Sequence, residues 1–196
     1  MLYHERKARR LGFRSIAGVD EVGRGSLAGP IVACALILKK NKFKNNIRDS
    51  KALSAPARFR AFDEIIKNSF FGLGVVNETI IDRLNIQEAN RIAMEMAIGN
   101  LKRRPDYVLI DGNIRLKPPC KCKNVIKADS KSLSVACASI VAKVIRDRIM
   151  CIYDKVYPKY GFKDHKGYGT KTHFRAINRL GPISIHRRSF SPFKNL

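Results

Sequence analysis

The order of its apolar segments is the feature that most limits the folds open to this chain. Runs of strand length come first, at Ser15–Val22, Ile31–Leu38 and Phe71–Val76. Ile31–Leu38 is apolar without interruption, which is typical of a strand that is buried on both faces. The three segments predict strands, and strands in this order can form an antiparallel meander.

The rest of the chain shows helical patterns with shorter strands between them. Apolar residues recur at helical spacing in Ala55–Lys67, Ile86–Leu101 and Ser134–Tyr153, and two further strands are predicted at Tyr107–Ile110 and Val125–Ala128. Helices that follow strands in this way imply an α/β domain in which helices cover a mixed central sheet. The length of 196 residues suits one domain of ordinary size.

The charge balance limits the function more than it limits the fold. The chain has 39 Lys and Arg residues against 16 Asp and Glu, a formal net charge of +23. Such a surplus favours a polyanionic partner, most often nucleic acid; the alternatives are a ribosomal-type basic protein and a merely solubilising surface. Residues 155–196 carry ten basic residues and one acid, interleaved with aromatics. We expect this region to contribute to nucleic-acid binding.

The sequence contains no export signal and no apolar run long enough for a membrane span. Its N-terminus, MLYHERKARR, is charged, and the longest apolar run, Leu27–Leu38, has twelve residues and includes a proline. The five cysteines, an odd number, indicate reduced thiols in a cytoplasmic protein. Cys120 and Cys122 lack a second pair at zinc-ligand spacing and are interpreted as loop thiols, whereas Cys34 and Cys137 are expected in the core.

Four carboxylates stand out in so basic a chain because they lie at or near the ends of predicted strands. They are Asp20, Glu21, Asp111 and Asp129. If these strands are neighbours, the carboxylates converge, and their repulsion raises their pKa values unless cations relieve it. Oxygen ligands of this kind select Mg²⁺ or Mn²⁺, and a pair of such ions supports phosphodiester hydrolysis. The alternative is that each acid caps a turn or pairs with a nearby Lys or Arg.

A site that uses both Asp20 and Glu21 meets one geometric obstacle. Adjacent side chains on a regular strand point to opposite faces of the sheet. The two side chains can share a site if the strand twists or bulges at this point, and Gly18, Gly23 and Gly25 give the backbone the necessary freedom.

Glycines also flank two candidate substrate contacts. Gly23-Arg24-Gly25 is either a plain turn or a place where backbone amides approach a sugar-phosphate, with Arg24 as a charged clamp. Tyr168 lies between two glycines and is expected to be exposed. Most of the other aromatics of the C-terminal region are expected in the core; these are Tyr157, Tyr160, Phe162 and Phe174.

Several motifs resemble, in their order along the chain, those of the bacterial ribonuclease HII family. They are Ala17-Gly-Val-Asp-Glu-Val-Gly-Arg-Gly25 with Leu27-Ala-Gly-Pro30, then Asp49-Ser-Lys51, Asp111-Gly-Asn113, Lys127-Ala-Asp-Ser-Lys-Ser132, Ala138-Ser-Ile-Val-Ala-Lys-Val-Ile-Arg-Asp147, Tyr160-Gly-Phe162, His165-Lys-Gly-Tyr-Gly-Thr170 and His186-Arg-Arg-Ser-Phe190. The resemblance covers nearly the whole chain. One departure is Lys127-Ala128, where the family usually has a glycine pair.

The resemblance implies a ribonuclease H-like fold with a small helical C-terminal region. Residues 1–154 would form the catalytic domain, and residues 155–196 a basic substrate-binding region packed on it. It further implies Mg²⁺- or Mn²⁺-dependent endonucleolytic cleavage of RNA in RNA–DNA hybrids and at ribonucleotides embedded in duplex DNA. The cut lies on the 5′ side of the ribonucleotide and leaves 3′-hydroxyl and 5′-phosphate ends. We expect a monomer.

Position by position, the resemblance also assigns roles to individual residues. Metal binding and catalysis are assigned to Asp20, Glu21, Asp111 and Asp129. Ribose sensing is assigned to Gly23, Arg24 and Gly25, stacking on the following sugar to Tyr168, and phosphate contacts to Lys51 and Lys143.

Two alternatives remain open at the level of sequence. Ribonuclease HIII shares much of the pattern, but the short segment before Asp20 and the Asp, not Glu, at position 129 favour HII. The other alternative is a non-enzymatic basic RNA-binding protein whose acids are structural.

Overall fold

The computed structural model describes residues 1–45, 47 and 53–193. Its helices are α1 (Tyr3–Arg10), α2 (Ala55–Lys67), α3 (Glu78–Leu84), α4 (Ile86–Gly99), α5 (Leu133–Val156), α6 (Phe162–His165) and α7 (Lys171–Leu180). Its strands are β1 (Ile16–Val22), β2 (Ile31–Leu38), β3 (Ser69–Val76), β4 (Tyr107–Asp111) and β5 (Lys121–Val125). Short 3₁₀ helices, Ala128–Ser130 and Pro158–Tyr160, precede and follow α5.

The strands form a single mixed sheet in the order β3-β2-β1-β4-β5. β1, β2 and β3 pair antiparallel and form the predicted meander, whereas β4 is parallel to β1 and β5 is parallel to β4. The prediction of an α/β fold with a mixed central sheet flanked by helices is therefore confirmed.

Both faces of this sheet are covered, which explains why β2 is apolar along its whole length. One alternate set of β2 side chains packs in a cluster with α4. The other set, which includes Cys34, packs with Cys137 and its neighbours on α5. The expectation that these two cysteines lie in the core is confirmed.

Glycines in two strands allow the helices to approach the sheet closely. A Cβ on Gly74 of β3 would lie 1.9 Å from the carbonyl oxygen of Ala93 on α4. A Cβ on Gly18 of β1 would lie 2.3 Å from the amide nitrogen of Val135 on α5. The second contact brings the first turn of α5 against the middle of β1, and α5 runs on from there past the site described below.

The strand predicted at Val125–Ala128 is placed wrongly. The observed strand, β5, ends at Val125, and its first four residues are exposed because β5 lies at the edge of the sheet. The chain leaves the sheet at Ile126, and Lys127 adopts a left-handed conformation with φ +54° before the 3₁₀ helix begins. An exposed edge strand has no alternating apolar pattern, so hydrophobic periodicity does not detect it.

The C-terminal region packs onto the end of α5 through a cluster that includes Met150, Tyr160, Phe162 and Ile185. Burial of Tyr160 and Phe162 agrees with the sequence prediction, whereas Phe174 is exposed because it lies on the outer face of α7. The division proposed at residues 154/155 falls inside α5 and remains a prediction. Among the residues that the structure describes, no helix combines the length and the apolar character that a membrane span requires.

Candidate functional site

The pairing of β1 with β4 brings two of the predicted acids to one edge of the sheet. The parallel strands pair up to Val19 opposite Ile110, and the next residues are Asp20 on β1 and Asp111 on β4. Because the strands run in the same direction, both acids lie at the same edge. Together with Glu21 they line a cleft of about 360 Å³.

Asp20 and Glu21 reach this edge from opposite faces of the sheet. The pairing of β1 with β2 advances residue by residue to Val22 opposite Val32, so the bulge, one of the two distortions considered from the sequence, is absent. Asp20 lies on the face covered by α5, where Ser139 hydrogen-bonds to it. Glu21 also lines a second cleft, of about 570 Å³, on the face covered by α4. Asp20 and Glu21 still share a site, because the cleft of about 360 Å³ lies at the end of the strands, where side chains from both faces of the sheet reach it.

Burial and neighbouring charge both oppose ionisation of Asp20. The pKa of its carboxyl is raised well above the usual range, mainly by burial and then by the charges of Glu21 and Asp111. Hydrogen bonds offset part of this effect: Ser139 contributes one, and the amide of Glu21 donates another, 2.8 Å long, to Oδ1. The pKa of Glu21 is also raised by burial, although Arg24, whose Nη1 lies 3.6 Å from Oε1, opposes this increase.

Asp129 is connected to this edge through the backbone. Asp111 accepts a 2.6 Å hydrogen bond at Oδ1 from the amide of Ala128, the residue before Asp129. The bond ties the 3₁₀ helix to the end of β4. Asp129 itself is half-buried and, within the described part of the chain, is not among the residues that line either cleft. The structure therefore brings Asp20, Glu21 and Asp111 together and leaves Asp129 beside them.

The chemistry of these side chains fits a hard divalent cation. Carboxylate oxygens are the ligands that Mg²⁺ and Mn²⁺ prefer, and a cation would relieve the repulsion that raises the pKa of Asp20. In residues 1–45, 47 and 53–193, no three Asp, Glu, His or Cys side chains are already arranged so that they could hold a metal ion. The residues thus match such an ion in their chemistry, and holding it would require the carboxylates to move closer together.

The loop after β1 is supported from behind by two buried arginines that the sequence analysis did not assign. Gly23 has φ +99°, and a Cβ there would lie 2.3 Å from Nε of Arg146, so a larger residue is excluded on both grounds. Arg187 donates a 3.0 Å hydrogen bond from Nη1 to the carbonyl of Arg24. The side chain of Arg24 remains 55% exposed, which leaves it accessible to a ligand. Gly25 follows in the same turn.

Tyr168 is attached directly to this loop. An isolated antiparallel bridge pairs Ser26 with Tyr168, and the amide of Leu27 donates a 2.8 Å hydrogen bond to the carbonyl of Gly167. The ring is half-buried rather than exposed, because Arg146 and Lys143 lie 5.4 and 5.7 Å from its centroid. Tyr168 lines the same cleft as the three acids.

The two buried guanidinium groups donate hydrogen bonds to backbone carbonyls. Arg146 donates to Pro30, Ala28 and Lys166, and Arg187 donates to Gly29 as well as to Arg24. These bonds lock the loop after β1 to the segment that carries Tyr168. Arg146, Arg187 and Ser139 all lie within motifs that carried the family resemblance, which is the signal that could have identified them.

The two predicted phosphate contacts have different outcomes. Lys143 lines the cleft of the acids, and its Nζ lies 2.8 Å from Oδ1 of Asp147, four residues later on α5. Lys51 lies outside the residues that the structure describes, and its role stays a prediction.

Comparison with known proteins gives the family. A family model described as ribonuclease HII matches residues 17–193. A ribonuclease HII from Enterococcus faecalis is 46% identical over 197 residues, covering 100% of this chain and 77% of that protein. One from Acholeplasma laidlawii is 49% identical over 187 residues, covering 94% of this chain and 91% of that protein.

The fold comparison agrees. The crystal structure of the ribonuclease H2 from Pyrococcus horikoshii matches with a TM-score of 0.79 at 24% identity, covering 93% of this chain and 96% of that one. With a family model that matches most of the chain and relatives of this similarity, the chain belongs to the ribonuclease HII family.

Proposed function

We propose that this chain cleaves the RNA strand of RNA–DNA hybrids and cuts duplex DNA on the 5′ side of an embedded ribonucleotide, leaving 3′-hydroxyl and 5′-phosphate ends. Its family makes it an endoribonuclease of the ribonuclease H type 2 class. The observation that carries the finer proposal is that a single cleft combines three converging carboxylates with Tyr168, whose segment is bonded to the glycine loop.

The residues that would hold Mg²⁺ or Mn²⁺, as a pair of ions, are Asp20, Glu21, Asp111 and Asp129. When bound, such ions supply the activation of water and the charge stabilisation that phosphodiester hydrolysis requires. The chain itself orients two of these acids towards the cleft, because Ser139 and the amide of Glu21 hydrogen-bond Asp20 while the amide of Ala128 donates to Asp111.

Recognition of a ribonucleotide depends on its 2′-hydroxyl, since this group distinguishes RNA from DNA. The backbone of Gly23 and Gly25 would approach the ribose, because Gly25 has open space where a side chain would lie and Gly23 lets Arg146 pack behind the loop. The exposed guanidinium of Arg24 can bind the adjoining phosphate. The ring of Tyr168 would lie against the next sugar, where a 2′-hydroxyl would crowd it. These contacts favour an RNA-to-DNA step.

We also propose the binding partners, the oligomeric state and the cellular location of the protein. Its partners would be RNA–DNA hybrids and ribonucleotide-containing duplex DNA, bound in part by the basic residues of positions 155–196. We further propose that it acts as a monomer in the cytoplasm.

The test compares three labelled duplexes: DNA with one ribonucleotide, all-DNA, and RNA hybridised to DNA. With Mg²⁺ or Mn²⁺ the first should be nicked once on the 5′ side of the ribonucleotide, the third should be cut and the all-DNA duplex should stay intact. Chelation should stop cleavage, and Ca²⁺ should support little of it because its larger oxygen shell would misplace the water. Nicking on the 3′ side would reject the proposed recognition.

Tyr168→Ala tests the stacking contact within the same assay. Loss of an aromatic stacking contact with a base costs roughly 1–3 kcal/mol, and for a contact of similar size the rate on the single-ribonucleotide duplex should fall about 5- to 100-fold. Tyr3→Ala, which removes an exposed tyrosine of α1, is the matched control and should cleave like the wild type. Full activity of Tyr168→Ala would exclude the stacking role. Hybrid binding without cleavage under any of these metal conditions would favour the non-enzymatic alternative.

A further inference from the structure

One wall of the cleft that holds the acids is basic and is built from two different helices. Arg58 of α2 and Lys143 of α5 line the cleft together with Asp20, Glu21 and Asp111. The phosphodiester of a bound strand must lie beside the carboxylates, and the cations of this wall are in a position to bind it.

We propose that Arg58 joins Lys143 in binding one phosphate of the cleaved strand next to the cleavage point, and that Asp147 is the positioning residue for both. The inference rests on the proposed function, because it assumes that a nucleic-acid strand occupies this cleft.

Asp147 links the two cations and leaves the wall with an excess of positive charge. Its Oδ1 lies 2.8 Å from Nζ of Lys143, and its Oδ2 lies 4.0 Å from Nη1 of Arg58. The three side chains are between 16% and 28% exposed, so they are partly shielded from solvent. The carboxylate holds the ammonium group of Lys143 through a hydrogen bond and attracts the guanidinium of Arg58 by charge, and it neutralises only one of the two positive charges.

The guanidinium of Arg58 retains hydrogen-bonding capacity. Of its five N–H groups, one on Nη2 donates a 2.7 Å hydrogen bond to the carbonyl of Leu53. Nη1 stays beyond hydrogen-bonding distance of Asp147, and Nε is buried without a hydrogen-bond partner among the described residues. A buried donor without a partner costs free energy. A phosphate oxygen in the cleft would bind at the N–H groups of Nη1, because Nε is closed off from solvent in this conformation.

A phosphate fits this pair of cations better than other anions of the substrate do. A guanidinium binds phosphate in a bidentate way through its planar fork, and an ammonium group adds a point charge. The phosphates are also the charges that a nucleic-acid strand presents at every step. The competing interpretation is that Arg58 only ties α2 to α5, and the experiments below separate the two roles.

The first experiment compares Arg58→Gln with Arg60→Gln, which removes the same charge from an exposed position on the same helix. Binding of a fluorescent single-ribonucleotide duplex is measured by anisotropy with EDTA, and cleavage is measured with Mg²⁺. We expect Kd to rise about 10- to 100-fold for Arg58→Gln, as for loss of a charge-assisted hydrogen bond, and less than about threefold for Arg60→Gln. Arg58→Lys, which keeps the charge, should be intermediate.

The second experiment identifies the phosphate. A series of duplexes carries one neutral methylphosphonate at successive positions around the ribonucleotide. At one position the neutral linkage should weaken wild-type binding by at least the factor of Arg58→Gln, because it removes the charge that both cations bind. In Arg58→Gln the same linkage should cost less than in the wild type, because only the contact with Lys143 is left to lose. If the two losses multiply at every position, or if Arg58→Gln binds like Arg60→Gln, the proposal is wrong. A merely structural arginine would produce no such position-specific coupling.

The third experiment tests Asp147 through the sign of the effect. Removing a negative charge from a nucleic-acid-binding protein should by itself strengthen binding, as we expect for the exposed Asp63→Asn on α2. Asp147→Asn should instead weaken binding several-fold, because Lys143 and Arg58 lose the group that orients them, and Asp147→Glu should restore part of the loss. Tighter binding by Asp147→Asn would overturn the positioning role.

Failure of the wild type to cut any duplex would refute the proposed function, whereas normal cutting by the wild type together with unaltered binding by the Arg58 variants would refute this inference alone.

Discussion

Two parts of the site differ in how their buried charges are compensated. We call them the carboxylate edge, formed by Asp20, Glu21 and Asp111, and the arginine side, formed around Arg146 and Arg187. On the carboxylate edge, Asp20 is buried beside Glu21 and Asp111, and the pKa of its carboxyl is raised. On the arginine side, the guanidinium groups of Arg146 and Arg187 are fully buried and donate hydrogen bonds to backbone carbonyls. The first side holds charges of one sign close together and is suited to receive a cation. The guanidinium groups of the second side already have hydrogen-bond partners, and they fix the loop after β1 against the segment that carries Tyr168.

The arginine side carries an energetic cost that its hydrogen bonds offset. Burial, and after it the neighbouring charge of Arg146, lower the pKa of Arg187 to about 9, and the charge of Glu78 opposes this change. The guanidinium therefore stays charged at neutral pH. Carbonyl oxygens around a buried guanidinium replace the water that it loses on burial. Because these carbonyls belong to the loop after β1 and to the segment that carries Tyr168, Arg146 and Arg187 hold the two segments together.

The largest effect should come from the carboxylate edge. Asp111→Asn removes one charge from the predicted metal-binding acids and should lower the cleavage rate by about 10³-fold, because metal stabilisation of the reaction is worth several kcal/mol. Binding of the hybrid should be largely retained, since the lost charge repels phosphates. Single-turnover cleavage with Mg²⁺ and anisotropy with EDTA measure the two quantities.

Asp129→Asn sharpens this prediction because Asp129 is not among the lining residues of the described clefts. We expect a loss comparable to that of Asp111→Asn. Wild-type rates in both variants would show that the acids are assigned wrongly, and a wild-type rate in Asp129→Asn alone would limit the site to the three acids of the cleft.

The arginine side also contains a chain of neutral imidazoles. The amide of Ile183 donates a 2.9 Å hydrogen bond to Nδ1 of His186, the Nε2 atoms of His186 and His173 are 3.1 Å apart, and Nδ1 of His173 lies 3.0 Å from the carbonyl of Tyr168. The carbonyl requires a proton on Nδ1 of His173, so Nε2 of His173 accepts from His186. Each ring carries one proton, and burial lowers the pKa of both rings to about 4.

Acid should therefore weaken this side of the molecule. In the unfolded chain the two histidines have a pKa near 6.5, so they take up protons at a higher pH than the folded rings do. Their contribution to the free energy of unfolding is therefore fully present above about pH 6.5 and is lost as the pH falls towards 4. Between pH 7 and 5 we expect a loss of about 2–4 kcal/mol in the free energy of urea unfolding. His186→Gln should be less stable at pH 7 but should lose less on acidification. The comparison with His186→Gln is the deciding one, because the raised pKa values of Asp20 and Glu21 have the opposite pH dependence in both proteins. A loss on acidification that is as large in His186→Gln as in the wild type would contradict the neutral chain.

Arg187→Gln should destabilise the protein by about 2–3 kcal/mol, because the carbonyls of Gly29 and Arg24 lose buried hydrogen bonds. The matched control is Arg188→Gln, an exposed neighbour whose change should stay within about 0.5 kcal/mol. Thermal and urea unfolding at pH 7.5 measure both. Equal stability of the two variants would show that the buried guanidinium does not hold the loop.

These two sides also differ in how far the sequence predicts them. The acids were identified because each lies at or near the end of a predicted strand, and the pairing of β1 with β4 brings Asp20 and Asp111 together. Asp129 lies in the 3₁₀ helix, after a strand that the pattern placed wrongly. Arg187 is indistinguishable by composition from the other arginines, and its partner Gly29 is 158 residues away. Helix α1 was missed for a similar reason: its buried Glu5 accepts hydrogen bonds from Ser132 and Ser134, which local periodicity cannot reveal. Local patterns predict elements and their ends, whereas contacts over long separations need the fold.

The smallest effect should be a gain in stability on the carboxylate edge. Asn at position 20 keeps an oxygen that can accept the 2.8 Å hydrogen bond from the amide of Glu21, and it removes a buried charge that Glu21 and Asp111 repel. Asp20→Asn should therefore raise the free energy of unfolding by about 1–2 kcal/mol at pH 7 in EDTA, while abolishing most turnover. Asp106→Asn is the matched control, because Asp106 accepts hydrogen bonds from the amides of Arg14 and Ser15 through both carboxylate oxygens and should lose stability when one oxygen becomes an NH₂ group. If Asp20→Asn is destabilised like Asp106→Asn, the carboxylate edge is compensated within the protein itself, and the contrast between the two sides of the site does not hold.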